Sequence, residues 1–310
     1  MRFPGGSTSD LYLWEDGIGL KTTAPVGPNS ASISLEGVPD WQTVTQARLV
    51  DTHDGQFGDL FHFIRQDGNR LEGVFGVQSH HPAGTPVRPE ARIGQSPWFS
   101  NNYGTIEHLK LVHSLKAKAL FTVNYSTGLE MAGKLSTRVS LDQRVKRAAA
   151  WVAFVNGHPD DPRPLGVDGE GHDWQTVGFW AQKRAALGYP QPFGVTYWEV
   201  GNEVYDRNEI GFTAAQQYAR DFVAFAEAMK GVDPRIQVGA VGLTAPQGRG
   251  DADATDAWNP TVVKHAKEYL DFLIIHPYYP AGGQDRALYR SEPWFMAMMA
   301  GAHQAMLDLR

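Results

Sequence analysis

Tyr197-Trp198-Glu199-Val200-Gly201-Asn202-Glu203 is the stretch that decides the fold. It closes an apolar, β-prone run over 195–200 and breaks off in Gly-Asn-Glu, so a short strand presents polar groups just past its C-terminal end. In a parallel barrel that end is the rim on which active sites are built. Four other stretches have the same character: 2–4, 119–124, 236–241 and 272–276. Their low charge fits strands covered on both faces. Helical patterns lie between them. Ser140 with Gln143 makes a capping-box signature ahead of a helix over 141–156, which Gly157 stops. Thr213 with Gln216 repeats the device ahead of a second helix, whose Tyr218, Phe222, Phe225 and Met229 share one stripe. Residues 106–115, 261–269 and 294–309 supply three more amphipathic segments. Strands alternating with helices predict an α/β fold with a parallel sheet, and 310 residues suffice for one barrel of roughly 250.

Residues 15–103 break the alternation. Gly, Pro, Asp and His are frequent there, and the apolar runs 31–35, 60–64 and 71–77 are short and strand-like. The pattern predicts a β-rich insertion over 20–102 within a single catalytic domain spanning 1–310. No repeat and no low-complexity tract marks a linker.

Composition narrows the function. With 28 basic and 34 acidic residues the net charge is −6, which offers no basic field to nucleic acid or to an anionic membrane. No stretch reaches the roughly 18 apolar residues of a membrane helix. The absence of cysteine excludes a disulfide framework, a thiolate metal site and a cysteine nucleophile, and it leaves the compartment open between cytoplasmic and secreted. His80-His81 has no third ligand at metal spacing and reads as a surface pair, so no metal is expected. Gly239-Ala240-Val241-Gly242 is too short for a nucleotide-binding turn.

Glu203 is the candidate for chemistry. A carboxylic acid at a strand end, beside apolar and aromatic walls, keeps a raised pKa and can protonate a glycosidic oxygen. Asn202 can hydrogen-bond a sugar hydroxyl. A bare Gly-Asn-Glu more often marks a solvated loop, and a lone histidine after an apolar run is more often structural than catalytic. Context reverses that weighting. His276-Pro277-Tyr278 ends one strand, Asn124-Tyr125 ends another, and Arg2-Phe3-Pro4-Gly5-Gly6-Ser7 ends a third, so several polar endings converge on one rim. Asp10, Tyr12 and Trp14 follow as sugar-facing candidates, against the alternative of a tight turn with Trp14 in the core.

These motifs resemble the α-L-arabinofuranosidases of glycoside hydrolase family 51, in the large clan of retaining barrel glycosidases. The resemblance covers RFPGGSTSDLYLWEDGIG over 2–19 and then runs in order from Tyr103 onward. It passes through Tyr103-Gly104-Thr105-Ile106-Glu107, Val123-Asn124-Tyr125-Ser126-Thr127-Gly128 and Ala150-Trp151-Val152-Ala153-Phe154-Val155-Asn156. Residues 184–192, the Trp-Glu-Val-Gly-Asn-Glu run and His276-Pro277-Tyr278 complete the series. The resemblance implies a partial (β/α)8 TIM barrel, about strands 2 to 6, with the β-rich insertion inside it.

By the same resemblance the activity is retaining hydrolysis of α-L-arabinofuranosyl or related plant-polysaccharide linkages, with a carbohydrate as partner and no cofactor. Glu203 is then the general acid/base and Asn202 a ligand of the sugar 2-hydroxyl. His276 and Tyr278 surround the nucleophile and substrate, and Arg2 ends the second barrel strand. Asn124 and Trp14 complete the expected substrate-facing set. The nucleophilic Glu falls on a strand after the helix that reaches Arg310, so the expectation is a fragment without its nucleophile and with weak stability. Ser7 departs from the family, which usually has Asn after the two glycines. An endo-acting glucanase or xylanase of the same clan, or a non-catalytic carbohydrate-binding relative, are the alternatives.

Overall fold

In the computed structural model, residues 1–39, 41, 44–50, 58–92, 98–101, 103–126, 139–243 and 258–276 are described. The chain divides into two units: Met1–Tyr12 together with the chain from Lys118 onward, and Leu13–Ala117.

The first unit is built on five parallel strands that lie side by side in chain order: Arg2–Phe3, Leu120–Val123, Tyr197–Val200, Gln237–Gly242 and Phe272–Ile275. Their cores coincide with the five expected stretches. Register pairs Arg2 with Leu120, Thr122 with Glu199, Glu199 with Gly239, and Gly239 with Phe272. Because side chains alternate along a strand, this register sorts the sheet into two unlike faces. On one, Phe121 and Trp198 meet Trp151 of the helix Leu141–Asn156, at 4.9 Å and 5.7 Å from its ring, and Phe3 packs on Phe121. The Phe121, Trp151 and Trp198 rings are buried, each contributing about 1.5–3 kcal/mol by leaving water. The other face carries Arg2, Thr122 and Glu199. Thr122 and Glu199 are buried there, so this face is covered too, but the low charge along the sequence concealed one ion pair in the sheet.

Gly239 sits on this second face, where a Cβ would lie 2.4 Å from the Phe272 ring, so the ring reaches Tyr197 at 6.0 Å only across a residue without a side chain.

Ser140 caps the 141–156 helix as expected, accepting from Gln143 N at 3.1 Å. Thr213 does not cap. The next helix is Ala215–Val232 with Ala214 at its cap, because the Thr213 hydroxyl bonds the Tyr125 phenol instead. The Tyr218, Phe222, Phe225 and Met229 stripe is core, each fully buried. Tyr218 also ties the sheet, its hydroxyl donating to Val200 O (2.7 Å) and accepting from Val241 N (2.9 Å). The segment expected over 261–269 is the helix Trp258–Ala266, and the one expected over 294–309 lies outside the described residues.

Val177–Ala186 is a helix that the hydrophobic pattern does not announce. At its end Arg184, fully buried, donates to the carbonyls of Phe154, Val155, Gly157, Tyr189 and Pro190 at 2.7–3.2 Å. Burial lowers its guanidinium to about 10. One side chain thus fastens the 141–156 helix to residues 189–190.

The second unit is antiparallel. Leu20–Lys21, Pro86–Arg92, Gln46–Leu49 and Leu60–His62 form one sheet in that order, with Trp98–Ser100 paired to Pro86–Arg92. Ser32–Ser34, Arg70–Glu72 and Arg65–Asp67 form another, and Thr105–Ser114 is a helix. The unit has its own core, which includes Ile33, Leu35, Trp41, Leu49, Phe61, Phe63, Leu71 and Val87. The expected surface pair His80-His81 is corrected: His81 is 9% exposed and its Nε2 lies 3.0 Å from Asp59 Oδ2, so the second histidine is a structural partner.

Candidate active site

Parallel strands end together, and polar residues on three of these strands, with those that follow the ends of the third and the fifth, make the site. Arg2, at the first end, donates from Nε to Glu199 Oε2 (2.6 Å) and from Nη2 to Glu199 Oε1 (3.0 Å). Thr122, on the second strand, adds its hydroxyl to Glu199 Oε2 at 2.9 Å. Glu199 is fully buried, so this pair is fixed by geometry rather than by exposure; an unpaired charge there would cost about 3–5 kcal/mol. Arg2 Nη2 also donates to Asn202 Oδ1 at 2.8 Å, which carries the arrangement from the strand onto the Gly-Asn-Glu turn.

That turn is made by backbone conformations few residues adopt. Gly201 has φ +78°, and a Cβ on it would press against Tyr125 at 2.9 Å, so glycine is required twice over. Glu203 itself has φ 46°, a left-handed conformation that costs a non-glycine residue about 1–3 kcal/mol and that collects at functional sites. Its carboxylate is 8% exposed at the residue level and lies 2.8 Å from His276 Nδ1, at the end of the fifth strand. A hydrogen bond at this distance needs one proton between the groups, carried by the imidazole or by the carboxyl. The pair can therefore hold and return a proton at Glu203 Oε1.

Asp10 holds the turn from behind. It lies in the 3-10 helix Gly6–Leu11 and is fully buried. One oxygen accepts from Tyr125 N (2.7 Å) and Ser126 N (3.3 Å), the other from Asn202 N (3.0 Å). Burial raises its carboxyl to about 7 although the three N–H donors pull the other way. The reading of Asp10 and Tyr12 as sugar-facing groups is corrected: both are buried, and Asp10 serves the backbone.

The structure brings Arg2, Asn202, Glu203 and His276 together. Asn124 is nearby in the fold but its amide donates to Tyr12 O at 3.3 Å, and the residue is 8% exposed. Trp14 belongs to the second unit, opens the short helix Trp14–Gly17 and is 2% exposed, which places it in a core. Tyr278 lies outside the described residues. Sequence reading missed Glu199 and Thr122, and misread Asp10. The alternation of Tyr197, Glu199 and Gly201 along the third strand is the signal that would have put Glu199 on the Arg2 face. Among the described residues no group of three or more His, Asp or Glu could hold a metal ion.

With this geometry in view, the comparisons with known proteins are specific. Residues 60–279 match the model of the alpha-L-arabinofuranosidase 1 domain. The chain belongs to that family. It is 34% identical to the intracellular exo-alpha-(1->5)-L-arabinofuranosidase 1 of Bacillus subtilis over 110 residues, covering 36% of this chain and 21% of that protein. It is 28% identical to the alpha-L-arabinofuranosidase C of Emericella nidulans over 193 residues, covering 62% and 29%. A solved family 51 alpha-L-arabinofuranosidase from Bifidobacterium longum matches 99% of this chain and 43% of its own, at 19% identity and TM-score 0.56. At that identity the likeness is one of fold, the barrel fold of these glycosidases. The chain spans less than a third of the length of these two curated relatives.

Proposed function

We propose that this chain carries the acid/base half of a retaining glycoside hydrolase that cleaves α-L-arabinofuranosyl or related plant-polysaccharide linkages. Its five parallel strands correspond, in this reading, to about the second to sixth of a (β/α)8 barrel, and the β-rich unit is an insertion within that one domain. The observation that carries the proposal is Glu203: a poorly exposed carboxyl in a left-handed conformation, 2.8 Å from His276 Nδ1, beside an Asn202 amide fixed by Arg2. Strain kept at a polar residue is a mark of function rather than of packing.

In the first step Glu203 gives its proton to the leaving glycosidic oxygen. In the second it takes a proton from the attacking water. His276 orients the carboxyl for both. Asn202 donates to a sugar hydroxyl, and Arg2, held by Glu199, keeps the Asn202 carbonyl turned away from that hydroxyl. The carboxylates described around Glu203 have other partners: Glu199 has Arg2 and Thr122, Asp10 has three amides, Asp206 has Asn208, and Glu209 has Ser7 and Asn202. The nucleophile of this reading accordingly comes from outside the described residues.

Acid assistance matters most where the leaving group is poor. In a protein that also supplies the nucleophile, Glu203→Ala should slow an arabinan linkage about 100-fold more than 4-nitrophenyl α-L-arabinofuranoside. Equal losses on the two, or turnover of other glycosides with none of arabinofuranosides, would overturn the reading.

A further inference from the structure

Glu209 has no place in the mechanism above, yet it reaches the same side chain. Two successive turns carry the chain back from the acid/base residue: Asp206 N donates to Glu203 O at 2.7 Å, and Glu209 N to Asp206 O at 2.9 Å. Glu209 is thereby returned to within hydrogen-bond reach of the Asn202 side chain and of the Ser7 hydroxyl. Asn202 Oδ1 is already taken by Arg2, so the group that meets the Glu209 carboxylate is the Asn202 Nδ2 amine. The other carboxylate oxygen, Oε2, is buried with no hydrogen-bond partner among the described residues. A half-buried acid with one vacant oxygen contributes little to packing. Burial, together with the nearby charges of Glu203 and Asp206, raises its carboxyl above the usual range, opposed by Ser7 and Asn202.

We propose that Glu209 is a positioning residue of this site: its carboxylate, anchored by Ser7, takes one N–H of Asn202 and so fixes which end of that amide meets the substrate. Arg2 holds the carbonyl end and Glu209 the amine end, so a flip would lose both contacts and set Asn202 Nδ2 against the guanidinium. The second amine hydrogen is the donor that the proposal assigns to a sugar hydroxyl. Ser7 is the anchor of this arrangement, its hydroxyl bonding the Glu209 carboxylate. Only the ligand of that last hydrogen rests on the glycosidase reading; the clamp itself does not.

The deciding experiment uses the full chain labelled with ¹⁵N at asparagine. The Asn202 side-chain amide signal is identified by its loss in Asn202→Asp and followed across pH 3–8 in the wild type and in Glu209→Gln. The expected result is a step in the wild-type signal that is absent from Glu209→Gln. Asp10, which reaches Asn202 through the backbone, and Glu203 and Asp206 leave their own steps in place in both proteins. Identical titrations in the two proteins would overturn the proposal. Where arabinofuranosides are turned over, Glu209→Ala should lower kcat/KM by roughly 100-fold through misplacement of Asn202, and Glu209→Gln, which keeps a carbonyl acceptor, should restore most of it. The amide titration needs no turnover and decides the clamp by itself, whatever the outcome for the glycosidase reading.

Discussion

Asp10 in the parallel unit and Asp59 in the β-rich unit each accept three hydrogen bonds, yet their carboxyls move in opposite directions. Asp10 accepts from three backbone N–H groups, is fully buried, and is raised to about 7 by that burial. For Asp59 burial also raises, but its side chain is 15% exposed, and the His81 ring at 3.0 Å with Gln78 N and Ser79 N prevails, so its carboxyl ends below the usual value. The number of partners is the same; what differs is how completely water is removed. Three neutral dipoles do not replace the hydration of a fully buried ion, whereas an imidazole and two amides more than replace a partial loss. The chain therefore keeps Asp10 where a carboxylate is unfavourable. What it obtains there is position, since the three amides belong to Tyr125, Ser126 and Asn202, the backbone behind the Gly-Asn-Glu turn.

Removing each acid breaks the comparison most directly. Asp10→Ala leaves three buried donors without acceptors, each costing about 1–3 kcal/mol, and a total loss of roughly 3–5 kcal/mol is expected because the three are not independent. Asp59→Ala leaves donors that water can reach, and about 1–2 kcal/mol is expected. Urea midpoints of the two variants measure both. Equal losses would show that depth does not set the value of these acceptors.

The pH dependence sharpens the contrast through its sign. A carboxyl raised from 3.8 to about 7 on folding keeps a proton that the unfolded chain has released, so Asp10 makes stability fall as pH rises between about 4 and about 7. A lowered carboxyl does the reverse: the contribution of Asp59 is present above its unfolded value of 3.8 and is lost as pH falls below it. Urea unfolding at pH 4.5 and 7.5 should show a downward slope that flattens in Asp10→Asn and is unchanged in Asp59→Asn. A slope that survives Asp10→Asn would assign it to another group.

The same contrast explains which parts of the molecule could be read from the sequence. Asn202, Glu203 and His276 were legible because each follows a β-prone run, and a parallel sheet gathers such ends by construction, whereas Arg2 was reached only through the family resemblance. Asp10 and Glu199 were not, because their partners lie far along the chain: Asp10 binds amides 115 and 192 positions away, and Arg2 reaches Glu199 across 197. Thr213 carried a correct local signal for a helix cap and was overruled by Tyr125, a residue from another strand end. The Val177–Ala186 helix escaped because Gly178 and Arg184 stand on its buried face and because Thr176, its cap, faces Phe179 rather than an acid at the third position. The β-rich unit announced the strands Ser32–Ser34, Leu60–His62 and Arg70–Glu72 through their apolar runs, but neither its other strands nor their pairing. Leu20–Lys21 meets Pro86–Arg92 across more than sixty residues, and no turn of fixed length sets that register.

The smallest expected effect tests whether Asp10 acts on the strained turn or merely near it. Glu203→Gly removes a strain of about 1–3 kcal/mol but adds unfolded-state freedom worth about 0.5–1, so a net stabilisation of roughly 0.5–2 kcal/mol is expected, with loss of activity. If Asp10 stabilises the left-handed stretch through Asn202 N, part of the Asp10→Ala loss is the cost of releasing that strain, and it disappears once glycine stands at 203. The Asp10→Ala and Glu203→Gly pair should then deviate from additivity by about 0.5–1 kcal/mol in a double-mutant cycle. Asp59→Ala with Glu203→Gly provides the reference, because Asp59 makes no described bond to the turn and its cycle should close to within about 0.3–0.5 kcal/mol. Two cycles that close equally well would mean that Asp10 holds the strand ends in register while Glu203 is held by other groups, His276 first among them.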